Sequence, residues 1–346
     1  MTATEVTTPA LRATGLTQHY PIRGAGGKKV VHAVDDVSLE LWPGQVTAVV
    51  GESGSGKSTL ARILARLVAP TAGQLWLDGA EVPLSTRRGS RGYRSTVQLI
   101  LQDPFSSLNP VHTVGYHLAR PLRIHRMAER SATDKAVAAL LERVKLTPPS
   151  QYAGKLPHEL SGGQLQRVAI ARCLAVQPRV LLADEPVSML DVSIRLGVLN
   201  LLEEICQEER LAVLYVTHDL ASARYLATSI MVMYAGQVVE SGPALDVVDR
   251  PAHPYTQLLL SAAADPERTG PAVLTTRGGA PPSLIDPPTG CRFHLRCPHA
   301  MAVCSTDAPP SVDVGGGQHA ACWLHAESGT RAGSALPGAR PPPQAS

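Results

Sequence analysis

Two short segments of this 346-residue chain carry residues whose types and spacing suit them for chemistry: GESGSGKST at Gly51–Thr59 and LSGGQLQR at Leu160–Arg167. The first has the form GxxxxGK[ST]. Its backbone N–H groups turn inward around phosphates, Lys57 neutralises them and the Ser58 hydroxyl can hold Mg²⁺. Gly51, Ser53, Gly54, Ser55, Gly56, Lys57, Ser58 and Thr59 are therefore the expected contacts of a nucleoside triphosphate. The second segment sets Ser161, Gly162 and Gly163 at the opening of a helix, which is a second anion-binding geometry. A phosphate already wrapped by Gly51 to Ser58 has no use for it, so its expected ligand is the γ-phosphate of a nucleotide held by a partner subunit.

RVLLADEP reads as an apolar strand ending in Asp184 and Glu185. A phosphate-loop fold places its metal-holding carboxylate at such a strand end, so Asp184 is expected to contact Mg²⁺ through water and Glu185 to orient or deprotonate the attacking water. TVQLILQDP reads as a buried strand ending at Gln102, whose amide can reach Mg²⁺ or that water. LAVLYVTHDL reads as a further strand ending at His218, placed to hydrogen-bond the γ-phosphate. Asp191, in SMLD, falls where two subunits would meet. Tyr20, ahead of the first turn, can stack on adenine. A lone histidine and an exposed tyrosine also have purely structural readings.

These residues need a scaffold, and the apolar patterning supplies one. VSLELWPGQVTAVVG predicts two strands about Pro43-Gly44, the second running into the phosphate loop, and GAGGKK predicts a surface hairpin before them. Leu60, Ile63, Leu64 and Leu67 recur at helical spacing, predicting a helix over 58–68. A mostly helical region is expected from Val111 to Val144, ending near Pro148-Pro149, and another helix over SGGQLQRVAIARCLA. SIMVMYAGQVVESG predicts a hairpin. Short apolar strands, each followed by a helix, indicate a parallel sheet with helices on both faces.

The net charge of +3 is small for this length and the positive residues are scattered, which argues against nucleic acid as the main partner. The first fifteen residues have neither a basic segment nor an apolar run and do not read as a secretory signal. No run of about eighteen apolar residues occurs, so a membrane path would have to come from other chains. Of six cysteines, Cys173 and Cys206 fall in apolar helical patterns and read as buried free thiols. The other four, Cys291, Cys297, Cys304 and Cys322, are separated by five, six and seventeen residues, unlike the paired CxxC of a zinc ribbon. Four thiolates so close in sequence can enclose a metal or can tie down a loop without one, and His294, His299, His319 and His325 are alternative ligands.

The order of phosphate loop, Gln102, LSGGQ, Asp184-Glu185, SMLD and His218 resembles the ATP-binding-cassette family. That resemblance implies an α/β P-loop NTPase with a RecA-like core, an antiparallel β subdomain and a helical subdomain at about 105–172. It also implies an ATP sandwich between two head-to-tail subunits, identical or paralogous, in which Ser161, Gly162, Gly163 and Gln164 of one face the nucleotide held by Lys57 and Ser58 of the other. Ser58, Gln102 and Asp184 become the expected Mg²⁺ environment, and Glu185, His218 and Gln102 the catalytic set. Val187 and Met189 depart from the family's usual Thr and Ala ahead of Asp191.

LQDPFSSLNP, RPAHPYTQLLLSA, GCRFHLRCPHAMAVC and ACWL look more narrowly like the ATPase subunits of oligopeptide, dipeptide and nickel importers. This implies a cassette over 1–250, a small C-terminal cysteine-rich extension over 251–326 and a disordered tail over 327–346. It implies ATP hydrolysis at the cytoplasmic face of the cell membrane, peripheral to two permease subunits that dock around Phe105 to Arg120 and receive peptides from an extracytoplasmic binding protein. The likeness favours a [4Fe–4S] cluster on the four cysteines, with zinc as the alternative. Nickel or another small solute is the alternative cargo, and a soluble non-transport cassette ATPase is the rival from another class.

Overall fold

The computed structural model describes residues 8–24, 27–84, 90–262 and 282–326. The chain divides into two compact units, one of Met1–Trp42, Val46–Thr86 and Thr217–Ser346, the other of Pro43–Gln45 and Arg87–Val216.

In the first unit, β1 (Leu11–Gly24), β2 (Gly27–Leu41), β4 (Ala72–Leu77) and β5 (Ala80–Glu81) form an antiparallel sheet in the order β2-β1-β4-β5. Gly24 pairs with Gly27, so the strands bracket the expected GAGGKK hairpin, whose tip at 25–26 lies outside the described residues. In the same unit β3 (Val46–Val50) runs parallel to β9 (Ser229–Tyr234). β9 turns through Ala235 and Gly236 into antiparallel β10 (Gln237–Pro243), and β12 (Gln318–Ala321) and β11 (Ser311–Gly315) follow antiparallel beyond it. The helices of this unit are α1 (Lys57–Leu64), α9 (Leu220–Leu226), α10 (Ala244–Asp249), α11 (Pro254–Ala262) and α12 (Val303–Thr306).

In the second unit, β6 (Val97–Ile100), β7 (Val180–Asp184) and β8 (Ala212–Thr217) are parallel. Around them lie α2 (Ser90–Thr96), α3 (Pro104–Ser107), α4 (Val114–Ile124), α5 (Thr133–Arg143), α6 (Ser150–Ala153), α7 (Gly162–Leu174) and α8 (Val192–Glu209). Every residue of β3, β7, β8 and β9 is buried, as near-continuous apolar strands covered on both faces must be.

Two expectations are corrected. The helix after the phosphate loop stops at Leu64, not Val68, because Arg66 takes a left-handed φ of 53°. Arg66 N–H then bonds to the Ile63 carbonyl and Leu67 N–H to that of Arg62, which is a Schellman termination with arginine where glycine is usual. The strand expected to end at Gln102 ends at Ile100, and its two middle residues are only half buried because, among the described residues, it pairs with β7 alone. The hairpin β11–β12 was not anticipated from the Pro- and Gly-rich C-terminal text. Of the extension expected over 251–326, residues 263–281 lie outside the described residues, as does the tail at 327–346.

Candidate functional site

In the first unit, β3 delivers the chain into the phosphate loop and α1 begins at Lys57, so the loop sits at a helix N-terminus. Gly56 holds a φ of 104°, and a Cβ there would stand 2.2 Å from the Ala33 carbonyl oxygen, so only glycine fits. Lys57 is buried, and its ammonium donates to the carbonyls of Gly51 at 2.7 Å and Glu52 at 2.8 Å. Ser53 and Gly54 are exposed at the loop tip, Ser55 is buried, and Ser58 and Thr59 are half buried in the first turn of α1. Tyr20 lies on β1 opposite Val31 with 37% exposure, a ring partly free to stack. His218 is exposed and follows β8 directly; the next residue, Asp219, caps α9 by accepting from Ala221 N–H and Ser222 N–H.

The second unit gathers the carboxylates and the signature helix. Asp184 ends β7 and is buried, opposite Val216 of β8. Glu185 leaves the strand with a φ of 47°, a strained conformation for a residue with a side chain, held by its N–H bond to the Val216 carbonyl at 3.0 Å. Its Oε2 accepts from Gln102 Nε2 at 2.9 Å, so two of the expected catalytic residues meet although they are far apart in sequence. Ser161 caps α7: its hydroxyl accepts from Gln164 N–H at 3.4 Å and Gln164 Oε1 accepts from Ser161 N–H at 3.1 Å. This reciprocal capping box gives Ser161 and Gln164 a structural duty in addition to the expected contact with nucleotide. Gly163 has one too, because a Cβ there would stand 2.4 Å from Ile194 Cγ2 of α8. Asp191 is exposed ahead of α8, beside exposed Met189 and Val192, whereas Val187 is buried. On the helical side of this unit a cavity of about 550 Å³ is lined by residues of α4, α5 and α6, among them Gly115, Tyr116, Arg123 and Val137, and Phe105 and Val111 are exposed nearby in sequence.

The four C-terminal cysteines belong to the first unit. Cys297, Cys304 and Cys322 are buried and Cys291 is half buried, none in a disulfide. Cys291 N–H bonds to the Cys304 carbonyl at 2.8 Å. Burial pushes the Cys291 and Cys322 thiols up to about 11, and neighbouring thiols of the set push the same way. Of the alternative ligands, His294 Nδ1 is engaged by the Cys291 carbonyl and His325 Nε2 by that of Ala252, while His299 is exposed.

Sequence reasoning missed two features here. His19, His32 and Asp35, on β1 and β2, have ligand atoms within 4.8 Å of one another. The Arg292 guanidinium already pairs with Asp35, so this carboxylate serves a cation from the chain itself. Burial opposes ionisation of Asp35, but the Arg292 charge and hydrogen bonds from His19, Arg292 and His32 outweigh it and hold its carboxyl below the usual range. The second feature is Glu52, whose carboxylate is gripped by Arg296. A positive charge repeated four residues apart in CRFHLRC was the available signal for both.

Comparison with known proteins identifies the family. The family profile described as ABC transporter matches residues 34–188, and the profile described as Oligopeptide/dipeptide transporter, C-terminal region, matches 239–304. A "Probable peptide ABC transporter ATP-binding protein" of Sinorhizobium fredii is 40% identical over 319 residues, covering 91% of this chain and 90% of its own. The "Di/tripeptide transport ATP-binding protein DppF" of Pseudomonas aeruginosa is 43% identical over 303 residues, covering 86% and 93%. Among solved structures, a bacterial ABC transporter cassette determined as a dimer superposes with a TM-score of 0.60 at 28% identity, over 68% of this chain and 98% of that one. With loop, signature helix and strand-end carboxylates in family order, this chain belongs to the ABC transporter family of ATPases, in the group whose cassette is followed by the oligopeptide/dipeptide transporter C-terminal region.

Proposed function

We propose that this chain powers the uptake of di- and oligopeptides, docked at the cytoplasmic face of the membrane on two permease subunits that an extracytoplasmic binding protein supplies. The observation that carries this reading is the pairing, in one chain, of the cassette with the oligopeptide/dipeptide transporter C-terminal region, at over 40% identity to a di/tripeptide transport protein along nearly its whole length. No helix among the described residues is long and apolar enough to cross a membrane, so the path belongs to other chains. The cavity among α4, α5 and α6, with exposed Phe105 and Val111, supports docking of permease around Phe105 to Arg120. The organisation that goes with this is a cassette over 1–250 and an extension over 251–326.

In this reading Gly51–Thr59 cradles the phosphates, Ser58, Gln102 and Asp184 are the residues that would hold Mg²⁺ when it is bound, and Tyr20 stacks on adenine. Glu185 takes the proton of the attacking water while Gln102 fixes its carboxylate, and His218 donates to the γ-phosphate. Ser161, Gly162, Gly163, Gln164 and Asp191 act on the nucleotide of a facing subunit, and the exposed Met189 and Val192 fit a surface that a second cassette covers. Reconstitution with the permeases decides the cargo: ATP hydrolysis stimulated by peptide-loaded binding protein supports the reading, and stimulation by nickel or another solute alone replaces it.

We further propose that the cysteine set holds a [4Fe–4S] cluster. The donor chemistry fits, with four clustered thiols free of disulfides. The likeness of this tail to that of peptide-importer ATPases favours iron over zinc. When bound, such a group would supply cross-linking of the extension. Anaerobic purification followed by iron, sulfide and zinc analysis tests it, and stoichiometric zinc without sulfide overturns it.

A further inference from the structure

The segment Cys291–Cys297, CRFHLRC, carries two guanidinium groups, of which Arg296 meets the phosphate loop and Arg292 meets β2 and the turn after β9, and nothing in the nucleotide chemistry above uses them. Arg296 Nη1 and Nη2 donate to Glu52 Oε2 and Oε1 at 2.9 and 3.0 Å, a bidentate pair, and Nη1 also reaches the Tyr234 hydroxyl at 3.3 Å. Glu52 N–H donates to the Tyr255 hydroxyl at 2.9 Å. The two side chains are 13% and 27% exposed, so solvent screens the pair less than it would a surface bridge.

Glu52 is the second residue of the loop, and its carbonyl receives the Lys57 ammonium and the Ser55 N–H. Four residues before Arg296, buried Arg292 donates to the Ala235 carbonyl as well as to Asp35. The adjoining Gly236 N–H bonds to the Ser55 carbonyl at 2.9 Å. Between the two arms, Phe293 is 1% exposed and packs edge-on against Tyr234 at 5.3 Å and against Tyr255 at 5.5 Å. Arg296 thus meets the loop directly at Glu52, Arg292 meets the Ala235-Gly236 turn that bonds to Ser55, and a buried ring fixes the segment that bears both.

Charge and shape work in the same direction. An uncompensated carboxylate at Glu52 would stand within a loop built to hold a polyanion, and the guanidinium cancels it. Tying down the side chain and N–H of Glu52 also fixes the carbonyl that Lys57 uses, so less ordering remains to be done when nucleotide arrives. We propose that Arg296 is a positioning residue for nucleotide binding, through which the cysteine-bearing segment neutralises Glu52 and holds the phosphate loop ready. This rests on Gly51–Thr59 being the nucleotide loop. It makes the C-terminal region a working part of that site.

The test is Mg·ADP binding to the full chain by calorimetry, with a thermal melt for each variant. Binding by the unaltered chain and its loss in Lys57→Ala check the loop assignment separately. Arg296→Ala is expected to weaken binding about tenfold with the melt still cooperative. Glu52→Gln combined with Arg296→Ala is expected to bind no more weakly than Arg296→Ala alone, because the uncompensated carboxylate is gone. If Arg296→Ala fails to melt cooperatively, Arg296→Lys replaces it in the same cycle, with a smaller loss expected since one point charge does not reproduce the fork. Single-variant affinity within about twofold of the unaltered chain, or losses that simply add in the double variant, would overturn the proposal.

Discussion

Gln102 Nε2 donates to Glu185 Oε2 at 2.9 Å, joining the loop after β6 to the residue that leaves β7. Gln102 also leads straight into α3, which Asp103 caps by accepting from Phe105 N–H at 2.8 Å. A shift of the Phe105 segment would therefore be felt at the carboxylate assigned as base. Glu185→Gln is expected to keep nucleotide affinity and lower phosphate release by about 10²–10⁴-fold, trapping a closed dimer visible by gel filtration with ATP. Gln102→Ala is expected to lower turnover less. Normal turnover in Glu185→Gln removes Glu185 from the base role.

The contact between α7 and α8 predicts a steric cost. Gly163→Ala places a methyl 2.4 Å from Ile194 Cγ2, a β-branch that cannot swing away, so destabilisation of about 1–3 kcal/mol is expected in urea unfolding. Adding Ile194→Ala should recover much of it. Equal midpoints for Gly163→Ala and the unaltered chain would show that the helices separate freely.

Acid sensitivity has an identifiable source in His253. Burial lowers its pKa to about 3, helped by His325, and its Nδ1 accepts from Tyr255 N–H at 3.0 Å, a bond available only to the neutral ring. The unfolded chain takes up this proton near pH 6.5, so between about 6.5 and 3 it holds more protons than the folded one. This contribution to stability is complete above pH 6.5 and is lost as pH falls. Buried Glu240, which accepts from His253 N–H at 2.9 Å, has its pKa raised by burial and slopes the opposite way, losing stability as pH rises through its folded value. His253→Asn, which retains an acceptor, should flatten the fall between pH 6.5 and 4 by up to about 1.4 kcal/mol per pH unit. An unchanged profile from chemical denaturation across that range would exonerate His253.

Cys173 and Cys206 should be inert. Burial pushes their pKa values up to about 11 and about 12, leaving roughly a thousandth or less as thiolate at pH 8. Mass spectrometry after native iodoacetamide treatment is expected to find both unmodified, and after unfolding both modified. Native labelling faster than global unfolding would mean that α7 or α8 opens locally.

Much of the nucleotide chemistry was legible because it is written in contiguous residues. A phosphate loop needs its glycines, lysine and serine at set intervals, and an apolar run such as VLLAD announces a strand with a carboxylate at its end. Local termination was harder to read. The stop of α1 at Arg66 carries no glycine, and the loss of Leu101 and Gln102 from the strand goes with β6 having, among the described residues, a single pairing partner.

The sequence by itself determined the family, the order of the motifs and the residue types of the phosphate loop, since these depend on spacing along one backbone. Only the tertiary structure decided which distant side chains share a hydrogen bond: Gln102 with Glu185, Ile194 against Gly163, and Arg296 on Glu52, 244 residues away. The physical reason is that such partners are chosen by the packing of elements. An arginine in a C-terminal loop has no periodicity that points to the carboxylate it will neutralise.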